Sequence, residues 1–426
     1  MPTASTLETL ETKMVRTAGS TLSWLTVAGL GAMAVGLKVG CAPIPQEDEA
    51  KQGESAYEDE EVVIAVSNVL ADVGPQVIIP SLEAFSSALG GLDDAIDSWE
   101  AAHSAGQDTS TARSDAQLAW ADAMMAWQEN EVLQIGPAGS SLSAIAGSDL
   151  RDEVYSWPTI NTCRVDQEVV AAVWDTDGWF EDNLVNSYGL DALEHVLYGG
   201  DANDCPSQVE INSEGSWDAL GPAGVETNRI AFARALTDHA GSVVDDLIAQ
   251  WSPTGGNFSG QLDMTAGNSP YFNDQEALNA VFDGLFYLET VTKDRKIAQP
   301  LGMVECSLET CPDDSEHLES GVSTMAIAAN LRGFRRLFSG GDGAGFDDLL
   351  VQLGHADLAE DILTKTDAAI DVAENTDVPV HTGVVSDTAT VEALHTAVKA
   401  VTDLLKNDLV TVLSLEVPAE AAGDND

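Results

Sequence analysis

"TSTARSDAQLAWADAMMAWQENEVLQ", residues 109–134, decides the architecture. Apolar side chains recur there at steps of three and four, the period of an α-helix with one face turned inward. Leu118, Ala121, Met125 and Val132 fall on or near one face. The same period runs through residues 62–99, 229–251, 273–302, 346–373 and 390–413. No segment alternates with the period of two that a strand requires, so the chain reads as all-α. Residues 252–270, "SPTGGNFSGQLDMTAGNSP", are rich in Gly, Ser, Pro and Asn and read as a linker or long loop. That stretch divides the helices into an N-terminal bundle, 61–251, and a C-terminal bundle, 271–415, with an acidic tail at 416–426.

The chain has 426 residues, with 71 acids against 18 bases and a formal charge of −53. A hydrophobic content of 44% and nine tryptophans fill a core, so the acids coat a folded surface. Such a surface repels nucleic acid and anionic lipid headgroups. It suits a saline medium, where self-repulsion is screened.

Residues 1–40 read as a secretory leader. "WLTVAGLGAMAVGL", residues 24–37, is an apolar run too short for a membrane span and right for the core of a signal peptide. "KVGC" follows and ends at Cys41 in the manner of a lipidation site, although Lys38 stands where an aliphatic residue is expected. Residues 41–60 then form a flexible acidic tether. The expectation is an envelope protein held to a membrane by a lipid on Cys41, with plain secretion as the alternative. Four other cysteines remain, an even number that favours disulfides in an exported chain. Cys306 and Cys311 share a short polar loop and pair; Cys163 with Cys205 closes the second bridge. Zinc on four cysteines is the rival, but the paired C-x2-C spacing is missing.

Five stretches in order resemble the imelysin-like family: residues 119–139, 152–170, 189–199, 285–302 and 318–340. The resemblance implies two packed helical bundles with a cleft between them. It also implies a G-x-H-x-x-E motif near that cleft. Here the motif reads "GLDALE": Gly189, Asp191 and Glu194, with aspartate in place of histidine. The family includes proteins described as metallopeptidases and others tied to iron uptake.

Asp191 and Glu194 lie at i and i+3, on one side of a helix, and form half of a metal site. Oxygen ligands suit hard ions such as calcium, magnesium, manganese or ferric iron. Two plainer readings stay open: the acids begin a helix whose dipole favours them, or one pairs with Arg164. Arg164 and Asp166 also read as a buried ion pair. Glu129 and Glu131 either complete a carboxylate cluster or are solvated. Glu319 and Ser320 face the cleft by family position, with helix capping the alternative for Ser320. The seven histidines form no i, i+4 pair, and His195 is turned about 100° from Glu194 on the helix, so it does not replace the missing histidine.

Three functions follow. The first is a non-enzymatic, envelope-anchored protein of metal or iron acquisition, with an envelope protein as a further partner. The second is a metallopeptidase, weakened by the lost histidine and the lack of H-E-x-x-H. The third is an interaction lipoprotein with a vestigial site.

Overall fold

The computed structural model describes Ser55, residues 57–415 and residues 417–418. Among these residues there is no strand. They belong to a single compact unit. The leader, Cys41 and most of the acidic tail lie outside the described residues.

The run Glu60–Ser104 is long and apolar enough, by length and composition, to cross a membrane. Here it is a core helix. Val66, Val77, Phe85, Leu92, Ile96 and Trp99 are buried along it, and a wider turn at Val73–Ile78 offsets its two halves. Glu60–Asp72 packs on Asp274–Leu285 and Phe346–Gln352, whereas Ile79–Ser104 packs on Ser110–Glu131 and Ser216–Trp251. The first helix therefore serves both groups of helices rather than the N-terminal one alone. In the C-terminal group, Ser323–Phe338, Ala356–Glu374 and Thr388–Leu404 pack in sequence, and the wide-turned helix Leu288–Ala298 lies against the last.

The seam between the groups is the packing of Ser110–Glu131 on Ser323–Phe338. At Gly333 an added Cβ would lie 2.2 Å from the Glu129 carbonyl oxygen, so only glycine allows this approach. The inward face of Ser110–Glu131 is not the one that the apolar spacing marked. Ala116, Trp120, Ala123, Met124 and Trp127 are buried, while Leu118 is 64% exposed. The two indoles turn the helix, because each buries far more area than a leucine. Within residues 252–270, Phe258 and Leu262, on the short helix Phe258–Leu262, join the core.

Both expected disulfides are present, Cys163–Cys205 and Cys306–Cys311.

Candidate metal centre in an acid-lined cleft

A cleft of about 670 Å³ opens where residues 155–204 of one group face residues 295–319 of the other. Its floor is the helix Leu190–Tyr198, in which Leu190 through Leu197 are all buried. Gly189 begins this helix at φ +100°, a backbone conformation that disfavours side chains. A Cβ there would also press on the Val154 carbonyl and Asp191. At the other end, Arg113 and Gln117 donate to the Leu197 carbonyl, and Arg113 and Arg229 to that of Gly199. The orphan carbonyls of a buried helix end are thus satisfied by an amide and two arginines, whose charge also suits its dipole.

Asp191 and Glu194 both line the cleft, in different states. Asp191 accepts from Ser156 Oγ at 2.9 Å and from the Ala192 amide at 3.0 Å. Burial pushes its carboxyl up to about 7 despite those bonds. Glu194 has three partners. His317 Nδ1 lies 2.8 Å from one oxygen, and the other accepts from the Ser320 amide at 2.9 Å and from its hydroxyl at 2.8 Å. Burial alone would raise the Glu194 carboxyl; His317 and Ser320 outweigh it and hold the group below the usual range.

The Asp191 value has a stability consequence. Its folded value lies above the ordinary 3.8, so the folded chain binds the proton more tightly than the unfolded one. This contribution is full below about pH 4 and is lost as the pH rises to about 7. Asp191→Asn should flatten that decline and leave the variant more stable at pH 8 by on the order of 1–2 kcal/mol. Denaturation midpoints from pH 4 to 8 in metal-free buffer at fixed salt check this. Equal slopes for the two proteins would mean that Asp191 ionises normally.

His195 stands between two acids. Its Nδ1 is 2.6 Å from Glu319 Oε1 and its Nε2 is 3.1 Å from Asp166 Oδ1. Burial alone would lower the imidazole; the two carboxylates outweigh it and raise the group to about 9. His195, Asp204 and Glu319 each offer one ligand atom, and the three atoms lie within 4.8 Å of one another. Among the described residues this is the one such group, and neither Asp191 nor Glu194 belongs to it. Asp313 and Asp314 add charge to the cleft lining, opposed by Arg295.

Several expected partners lie elsewhere. Arg164 pairs with Glu168 and donates to Asn183, and makes no pair with Asp191, Glu194 or Asp166. Asp166 is buried beside His195 and Arg229 instead. Glu129 is paired with Arg332 and Arg336, away from the cleft. Glu131 is fully buried, bound by Arg151 at 2.7 Å and by the Tyr287 hydroxyl at 2.8 Å, and is not solvated. Ser320 caps no helix; its amide and hydroxyl serve Glu194. His317, Asp204 and Glu316 escaped sequence reading, because each sits in a loop without periodicity.

The imelysin family model matches residues 78–407. This chain belongs to the imelysin family. Two solved structures share the fold. An imelysin-like protein from Psychrobacter arcticum 273-4 superposes with a TM-score of 0.63 at 18% identity, covering 83% of this chain and 97% of that one. A protein described as an iron-regulated protein A precursor, from Parabacteroides distasonis ATCC 8503, gives 0.60 at 16% identity, covering 85% and 97%. No curated protein matches. In this imelysin the motif aspartate and glutamate line the cleft, while the group within ligating distance begins one residue later, at His195.

Proposed function

We propose that this imelysin binds a metal ion of the iron or manganese kind in the cleft, as a carrier or receptor in metal acquisition rather than as a peptidase. The observation that carries this reading is the approach of His195, Asp204 and Glu319 to within 4.8 Å of one another in a cleft lined by further acids. Once the ion displaces the His195 ring proton, one imidazole and two carboxylates form a mixed donor set that suits Fe²⁺ or Mn²⁺ and, with less oxygen preference, Zn²⁺. The buried ring and the exposed carboxylates give an ion both a fixed ligand and an open approach. Against a peptidase stands the state of Glu194. A general base needs a free lone pair facing a water, and three of the roughly four acceptor positions of this carboxylate are already taken. The iron-regulated name of one structural relative agrees with a metal role.

Titrating the metal-stripped protein with Mn²⁺ or Fe²⁺ should give one tight site above the loose binding that so acidic a surface shows everywhere. Asp204→Asn and Glu319→Gln should each weaken that site by about 100-fold or more while leaving the fold intact. A tight site that survives both changes would remove the assignment. The envelope part of the reading rests on residues 24–41. Cys41→Ser should release the protein from membranes, and a variant that stays bound would count against the lipid anchor.

A further inference from the structure

The metal reading leaves unexplained why a third carboxylate, wholly buried, stands behind the cleft. Asp166 lies in the helix Thr162–Ala171 and is 0% exposed. Its Oδ2 accepts the backbone amide of Asp204 at 2.8 Å. Its Oδ1 is 3.1 Å from His195 Nε2, an ion-pair contact not aligned as a hydrogen bond, and 3.9 Å from Arg229 Nη2. One side chain thus touches two of the three candidate ligands. The Cys163–Cys205 bridge ties together the same two segments, three residues before Asp166 and one residue after Asp204.

We infer that Asp166 is the positioning residue of this centre, setting the His195 ring and the Asp204 loop for the ion without touching it. This rests on the metal reading above. Burying an anion is costly unless it is paired, so Asp166 needs the contacts it makes. With Asp166 at Nε2, the His195 ring presents Nδ1 to the cleft side, where Glu319 lies. A carboxylate behind a ligating imidazole fixes its orientation and raises its basicity. Arg229 lies 3.9 Å from Asp166 and also holds the end of the helix that bears His195, through the carbonyls of Gly199 and Gly200.

The test uses Co²⁺, whose visible absorption reports its ligands, on the full chain. Asp166→Asn should weaken Co²⁺ binding by about 10–100-fold and alter the absorption bands, and Asp166→Glu should recover part of the affinity. The metal-free protein supplies a second measurement, the ¹⁵N resonances of the His195 ring. These should move in Asp166→Asn. Affinity in Asp166→Asn within about twofold of wild type would overturn the proposal. Should that variant fail to fold, Asp166→Glu decides, because a positioning role predicts weaker binding with the charge retained. Should the wild type take up no Co²⁺, the metal reading fails and the ring resonances alone decide whether Asp166 orients His195; unchanged resonances then overturn this inference as well.

Discussion

Lys296→Met should destabilise the protein by about 3–5 kcal/mol, the effect expected when one member of a buried ion pair is removed. Lys296 is 1% exposed on the wide-turned helix Leu288–Ala298. Its ammonium meets Glu316 at 2.9 Å, Gln128 at 2.7 Å and Asn330 at 2.9 Å, so all three donors are used. Glu316 also accepts from the Tyr155 hydroxyl at 2.6 Å and from Gln128 at 3.0 Å. Burial alone would raise the Glu316 carboxyl; Lys296 and His317 outweigh it and keep the group ionised. Methionine fills the volume but removes the nearest cation from that buried carboxylate, and the side-chain oxygens of Gln128 and Asn330 each lose one of two donors. The added change Glu316→Gln should recover most of the loss, since no charge then remains alone. Urea midpoints of the single and double variants make the comparison; a single variant within about 1 kcal/mol of wild type would show that the pair is dispensable. Glu316 immediately precedes His317, so the single variant should also loosen the loop that brings His317 and Ser320 to Glu194.

The Cys163→Ser/Cys205→Ser double variant should lose about 3–4 kcal/mol, whereas Cys306→Ser/Cys311→Ser should lose about 2 kcal/mol or less. The first bridge spans 42 residues and the second 5, and a longer loop restrains the unfolded chain more. The long bridge also anchors Asp204 to the helix of Asp166, alongside the hydrogen bond from the Asp204 amide to the Asp166 carboxylate. Guanidinium unfolding of the oxidised wild type and both variants orders the effects. A larger loss from the short bridge would contradict this account.

Much of the fold was legible because its signals are local. Three- and four-residue periodicity marked the helices, the even cysteine count marked both bridges, and "GLDALE" marked the helix at the floor of the cleft. Direction was harder to read than existence. On Ser110–Glu131 the apolar spacing included Leu118, but Trp120 and Trp127 decided which face turned inward. The same rotation buried Gln128, Asn130 and Glu131, polar residues that a hydropathy pattern assigns to solvent.

The candidate site was legible only in part. Asp191, Glu194 and Glu319 lie in the cleft, as motif and family position implied. Their chemistry depends on partners that sequence spacing does not supply. Glu194 meets His317 across 123 residues and Ser320 across 126. The missing motif histidine suggested a site made of oxygen alone, yet His195 reaches Glu319 and Asp204 from the next position on the helix.

By itself the sequence determined that the chain is helical, acidic, bridged by two disulfides and built around a Gly–Asp–Glu motif, because period, charge and cysteine count depend on neighbours along the chain. Only the tertiary structure decided which carboxylates hold a proton more tightly, which are paired with cations, and which converge with an imidazole. Those properties follow from burial and from contacts between loops distant in sequence, and packing alone sets both.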